Sequence, residues 1–214
     1  MTPRVVGIDS SLTATGVVRS DGAGAVFGRK GITNLILGSQ VFAIDEIVSD
    51  IRSFVLPFRP ALIVIEHPNM ATPFGANFLR APMWFQIVRS LVPYRTASID
   101  GPMRWQYLLG RGSGVSKNQV VAAVHDELPD LAEMVGKDDN LADAAVYMAM
   151  GMHRLRHPIV EDTHQRCAVI SNVKARWPDP GLYGCQEQDC PDFRSPDFGQ
   201  GTCPSEHAFW PVLG

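Results

Sequence analysis

With 214 residues the chain has room for one sizeable α/β domain and an appendage, and not for two domains of the usual ~150 residues. No signal-peptide pattern opens it and no apolar stretch approaches the roughly 20 residues that cross a bilayer, so it reads as a soluble, cytoplasmic protein with no membrane partner. The net charge of −3, from 19 Lys and Arg against 22 Asp and Glu, argues against a nucleic-acid binder until the charges are placed. Between Glu66 and Asp126 the one acid is Asp100, whereas Arg80, Arg89, Arg95, Arg104, Arg111 and Lys117 all fall there. Such a locally basic stretch is either a phosphate-facing surface or a solvated face.

In chain order, segments 4–9, 14–19 and 24–30 are short, rich in β-branched or small residues and separated by turn formers including Asp21-Gly22, which predicts a three-stranded antiparallel meander. From Ser39 the apolar positions Val41, Ile44, Ile47, Ile51 and Val55 follow a helical period, with Ser39 as the expected cap and Pro57 and Pro60 as the stop. Residues 61–65, Ala-Leu-Ile-Val-Ile, form an almost wholly apolar strand ending at Glu66, as expected of a strand covered on both faces. A helix over 76–91, a short strand over 94–99 and a short helix over 103–109 follow, and Gly110 to Gly114 make a loop. Ser116 then caps a helix containing Val120, Val121 and Val124, and a last helix runs from about 140 to 155. The domain is expected over 1–157, with 158–214 an irregular Cys-containing tail.

Three parts of this pattern carry acids. Asp9 ends the first strand in a small-residue turn, Glu66 ends the buried strand, and Asp139 and Asp143 lie one turn apart at the start of the last helix. An acid at a strand end often only caps a turn. Three such placements together make a carboxylate set able to hold two Mg²⁺ ions, with Asp9 bridging, for phosphodiester hydrolysis. Bound cations would relieve the repulsion within the set.

The order Gly7-Ile8-Asp9-Ser10-Ser11-Leu12-Thr13-Ala14-Thr15-Gly16, Ile63-Val64-Ile65-Glu66, Ser116-Lys117-Asn118-Gln119-Val120-Val121 and Asp138-Asp139-Asn140-Leu141-Ala142-Asp143-Ala144 resembles the RuvC-type Holliday junction resolvases, most closely their bacteriophage branch. The likeness covers about residues 4–155. It implies a ribonuclease-H-like fold with a mixed five-stranded sheet, three antiparallel strands then parallel ones, flanked by helices. It also implies a homodimer that nicks four-way and other branched DNA with Mg²⁺ or Mn²⁺, in the host cytoplasm if the protein is viral. By this likeness Asp9, Glu66, Asp139 and Asp143 are metal ligands and Lys117 a phosphate contact at the cleavage site. Cellular members carry the third ligand three residues before the fourth, where this chain has Asn140, so the third ligand is left open among Asp138, Asp139 and Asn140. Their junction-opening aromatic has Phe74 as its nearest counterpart.

Backbone phosphates are met by Arg and Lys, and Arg80, Arg104, Arg111 and Lys117 are the expected strand contacts. Trp84, Phe85 and Trp105 are read as core before base-stacking groups. In the tail, Cys185, Cys190, Cys203 and His207 are spaced C-x4-C-x12-C-x3-H, near the ranges of a structural zinc site, and Cys167 is assigned no role. Two other readings stay open: a flap nuclease or exonuclease of the same fold, and a non-catalytic branched-DNA-binding module. A sugar-kinase or actin-like ATPase is disfavoured, because the chain has no second phosphate-binding half and Gly110 to Gly114 lacks the Lys-Ser/Thr ending of a P-loop.

Overall fold

The computed structural model describes residues 2–68, 76–92, 94–172 and 177. Strands β1 (Val5–Asp9), β2 (Thr15–Arg19) and β3 (Gly24–Phe27) form the expected meander, followed by α1 (Leu37–Val55) and β4 (Leu62–His67). Helix α2 (Ala76–Ser90), strand β5 (Thr96–Asp100), and helices α3 (Gly101–Leu109), α4 (Lys117–Glu127), α5 (Ala132–Val135), α6 (Asp139–Arg154) and α7 (His164–Ile170) complete the order. The sheet runs β3-β2-β1-β4-β5, with β1, β2 and β3 antiparallel and β4 and β5 parallel to β1. This is the ribonuclease-H-like α/β arrangement that the motif order implies.

Strand side chains alternate between faces, and the two cores sort accordingly. Val6, Ile8, Ile63 and Ile65 point to a layer containing Ile44, Ile47 and Ile51 of α1 and Met83 and Ile87 of α2. Val5, Leu62, Val64, Ala97 and Ile99 point to the other, made by α3, α4 and α6. Helix α6 is buried at every position from 141 to 153, so its small and apolar residues run all round rather than along one stripe, with Asp143 and His153 as the charged-type exceptions.

That helix lies directly on the sheet because two strand positions lack a side chain. A Cβ on Gly7 would sit 2.0 Å from the Ala144 carbonyl oxygen and 2.4 Å from the Met148 nitrogen, and one on Gly16 would sit 2.1 Å from the Asn140 carbonyl oxygen. All these atoms are helix backbone, so no side-chain rotation relieves the clash. Gly7→Ala is therefore expected to destabilise the protein by about 3 kcal/mol, the upper range for overpacking a core. Urea unfolding measures it, and a loss under about 1 kcal/mol would mean that α6 lifts off β1 freely.

Local capping explains the helix starts, with one correction. Ser116 and Gln119 form a capping box on α4, the Ser116 N–H donating to Gln119 Oε1 at 2.8 Å. Asp138 caps α6, accepting from the Asn140 and Leu141 N–H groups at 2.9 and 3.0 Å. Helix α1, however, starts two residues before Ser39, from an extended Ile36 that makes no side-chain cap. The Gln40 N–H donating to the Ile36 carbonyl at 3.0 Å closes its first turn, which leaves Ser39 inside the helix. A second difference is α7, which falls where an irregular tail was expected. It docks on α3 through Arg166 Nε to the Tyr107 carbonyl at 3.2 Å and Gln165 Nε2 to the Gln106 carbonyl at 2.5 Å. Among the described residues no helix is long and apolar enough to cross a membrane.

Candidate active site

Register and alternation bring the first two acids together. Parallel pairing sets Ile8 of β1 opposite Ile65 of β4. The next residues, Asp9 and Glu66, are neighbours at the carboxyl ends of adjacent strands and face the α6 side. Because Gly7 and Gly16 let α6 lie close, Asp143 in its second turn reaches the same point. Asp9, Glu66 and Asp143 are all buried, at 7, 9 and 8% exposure. The turn after Asp9 is held by Thr15, whose hydroxyl donates to the Ser11 carbonyl at 2.5 Å and accepts the Ser11 N–H at 3.1 Å.

Two guanidinium groups offset this charge. Arg104 of α3 grips Asp143 with both arms, Nε to Oδ1 at 2.6 Å and Nη2 to Oδ2 at 3.0 Å. Its Nη1 donates to Glu66 Oε1 at 3.3 Å, the Gly101 carbonyl at 2.9 Å and Tyr147 Oη at 3.1 Å. Arg80 of α2 donates to Glu66 Oε2 at 2.6 Å and to the Ser10 carbonyl at 2.7 Å. Burial opposes the charge of Arg104, but Tyr147, Asp143 and Glu66 outweigh it and hold its pKa above the ordinary value.

The compensation is incomplete. Burial, the hydrogen bond with Glu66 and the charges of Glu66 and Asp143 push the Asp9 carboxyl well above the usual range. Burial likewise raises Asp143, aided by Glu66 and Asp139 and opposed by Arg104. Asp9 and Asp143, buried and pushed above their ordinary range, lack positive charge, and together with Glu66 they offer hard oxygens that suit Mg²⁺ or Mn²⁺. The donor set thus fits divalent cations of this class. In this conformation the oxygens do not all gather at one point, because the Arg104 guanidinium lies between Glu66 and Asp143.

At the rim, the exposed Lys117 ammonium pairs with the Asp139 carboxylate, a contact that raises the lysine pKa. A cleft of about 350 Å³ is lined by Asp9, Glu66, Asp143, Asp139, Asn140 and Lys117, with Arg80 and Arg104 in its wall. Of the three candidates for the third ligand, Asp138 is engaged in capping α6, while Asp139 and Asn140 both face the cleft. A second cleft of about 630 Å³ opens on the other side of Glu66, between His67, Asp100 and Trp105.

The basic stretch divides. Arg104, expected at a DNA surface, is instead inside the cluster with its side chain 10% exposed, and cannot meet a backbone phosphate without leaving two carboxylates. Arg80 lies in the cleft wall, Arg95 is buried, and Arg89 and Arg111 are exposed. Arg111 lines a separate groove with Gln119 and Asp126. Trp84 and Trp105 are partly buried against the two cores, as expected, whereas Phe85 is 69% exposed. Phe74, Cys185, Cys190, Cys203 and His207 lie outside the described residues. Sequence reasoning missed Tyr147, fully buried with its hydroxyl on Arg104. Its signal was a polar-tipped aromatic one helical turn after Asp143.

No family model and no curated protein matches the chain. Among solved structures, Thermus thermophilus RuvC aligns with a TM-score of 0.50 at 16% identity, over 68% of this chain and 90% of that one. T. thermophilus RuvC in complex with a Holliday junction substrate aligns with a TM-score of 0.50 at 14% identity, over 68% and 89%. At such identities the likeness is one of fold.

Proposed function

We propose that the protein is a metal-dependent, structure-selective endonuclease that hydrolyses phosphodiester bonds in four-way and other branched DNA. The observation that carries this reading is the under-compensated set of Asp9, Glu66 and Asp143 in an open cleft at the carboxyl ends of β1 and β4. The fold shared with RuvC, seen in one structure with a Holliday junction substrate, supports the choice of substrate.

Asp9, Glu66, Asp143 and, at the rim, Asp139 would hold the ions. A pair of Mg²⁺ or Mn²⁺ ions in such a site activates a water and steadies the leaving oxygen. Asp9 faces both Glu66 and Asp143 and is the carboxylate placed to serve both halves of the site. Arg104 fixes the plane of the Asp143 carboxylate through its two-armed grip. Lys117, 76% exposed on its side chain and set at the first turn of α4, can leave Asp139 for a strand phosphate at little cost, as exposed ion pairs are worth under about 1 kcal/mol. Arg80 and Arg111 supply further phosphate contacts. In this reading a cytoplasmic homodimer presents two clefts to opposing strands. Phe42 and Phe85, 71 and 69% exposed on the mutually packed α1 and α2, offer apolar surface for that pairing.

The test is incubation of the full-length protein with a synthetic four-way junction, a flap and a linear duplex, in Mg²⁺ and in Mn²⁺. Paired, symmetric nicks in the junction are expected, with linear duplex cut at least tenfold more slowly. Preferential cutting of flaps or ends would replace the resolvase by a flap nuclease or exonuclease. Junction binding without cleavage in either metal would make the carboxylates structural partners of Arg104 and Arg80, as in a binding module.

A further inference from the structure

A second group of ligand-type side chains sits at the far end of α6, ten residues and thus about 15 Å along the helix from Asp143. His153 Nε2 lies 3.2 Å from Asp162 Oδ1 and 3.8 Å from Cys167 Sγ, and the Cys167 thiol donates to Asp162 Oδ1 at 2.8 Å. Among the described residues this is the one group of His, Cys, Asp and Glu whose ligand atoms all lie within 4.8 Å of one another. The three come from α6, from the connection after it, and from α7.

Two features separate this cluster from chance proximity. Tyr107 Oη lies 3.2 Å from His153 Nδ1 and donates its own proton toward the Ala149 carbonyl at 3.5 Å. With the phenol bonded on Nδ1, Nε2 is the ring nitrogen that faces Asp162 and Cys167, and its lone pair is the one a metal held between them would take. Moreover, sulfur and carboxylate face the same ring nitrogen. A nucleophilic relay needs its nucleophile and its orienting acid on opposite nitrogens, so the arrangement does not suit one.

It suits chelation. With sulfur about 2.3 Å and nitrogen or oxygen about 2.0–2.1 Å from a tetrahedral zinc, ligand atoms stand about 3.3–3.6 Å apart. The observed edges of 3.2, 3.8 and 2.8 Å approach this, and the shortest is the S–H···O bond that loss of the thiol proton would open. We propose that His153, Asp162 and Cys167 form a zinc-class metal site that fastens α7 to the end of α6. A mixed imidazole, thiolate and carboxylate set favours such an ion over Mg²⁺. The fourth position faces solvent, where Asp162 is 55% exposed, and takes water. The neighbouring positive charge of Arg166 is offset by Glu127, 3.0 Å away.

The site is separable from the tail cysteines. In full-length protein carrying Cys185→Ser, Cys190→Ser and Cys203→Ser, Cys167 is the sole thiol. Titration with Co²⁺ is expected to give a tetrahedral visible spectrum and a near-ultraviolet thiolate charge-transfer band that saturate at one equivalent, whereas Co²⁺ taken up by the all-oxygen carboxylates of the cleft gives no such band. Adding Cys167→Ser removes the band. Asp162→Asn, at an exposed position that does not threaten folding, weakens Co²⁺ binding at least tenfold, as does Tyr107→Phe by releasing the imidazole. Zn²⁺ raises the melting temperature of the Cys167 protein and not of its Cys167→Ser derivative. Absence of the band in protein with native far-ultraviolet circular dichroism overturns the proposal. So does an affinity unchanged by both Asp162→Asn and Tyr107→Phe, which would mark a thiol binding metal alone.

Discussion

Asp9→Asn is expected to lower cleavage of a four-way junction by about 10³-fold or more while making the metal-free protein more stable. The activity loss follows from removing the carboxylate that faces both Glu66 and Asp143; metal contacts supply several kcal/mol of transition-state stabilisation, and each ~1.4 kcal/mol is tenfold in rate. The gain in stability follows from the same geometry. Asp9 is buried beside like charges, so its folded pKa is raised, and ionising it on the way to neutral pH costs folding free energy. The sign is definite: a raised carboxylate favours the folded state only where it is protonated, and that contribution is lost as pH rises from the unfolded value through the folded one. Asn, which never ionises, avoids the loss. The melting temperature without metal should rise by about 2–4 °C at pH 7, the shift that ~1 kcal/mol produces in a chain of this size. The difference should shrink as pH falls below the folded pKa of Asp9. Calorimetry at two pH values checks it, and a stability gap independent of pH would mean that Asp9 carries no strain. Retained cleavage would remove Asp9 from the chemistry.

Arg104→Met is expected to produce the largest loss of stability, about 3–5 kcal/mol, because it leaves Asp143 and Glu66 buried without the cation that grips both. Methionine retains most of the aliphatic stem, so the effect reports charge more than volume. Millimolar Mg²⁺ should recover part of the loss by supplying positive charge to the same oxygens, and should do so more strongly than in the wild type. The variant also distinguishes the buried position of Arg104 from a DNA-contacting one. A phosphate contact contributes about one unit to the salt dependence of binding, so junction affinity should keep its slope with ionic strength in Arg104→Met. Denaturant unfolding with and without Mg²⁺, and binding titrations across salt, measure the two effects. A loss under about 1 kcal/mol would show that the carboxylates simply take up protons.

Much of the fold is legible in the residue pattern because it is locally encoded. The Asp21-Gly22 turn between short strands, the continuous apolar run before Glu66 and the Ser116 cap each act within a few residues, and each appears as read. Ser39 misled because a side-chain cap is optional; the backbone of Ile36 and Gln40 closes the turn without one. Helix α7 was missed because its seven residues hold too few turns for a period to show, and its stability comes from Arg166 and Gln165 bonding the carbonyls of α3.

Asp9, Glu66, Asp139 and Asp143 stand out in the sequence because an acid at the end of an apolar run breaks the pattern that packing demands, and Gly7 and Gly16 are visible there as strand glycines. What those glycines do, and what neutralises the acids, depended on residues far apart in the chain. Only the tertiary structure placed α6 on β1 closely enough to bring Asp143 to Asp9, turned Arg104 inward although its sequence neighbourhood is basic, and set Cys167 and Asp162 on the Nε2 nitrogen of His153. The physical reason is that propensity and periodicity are properties of a few neighbouring residues, whereas charge compensation is a property of the space that distant elements enclose.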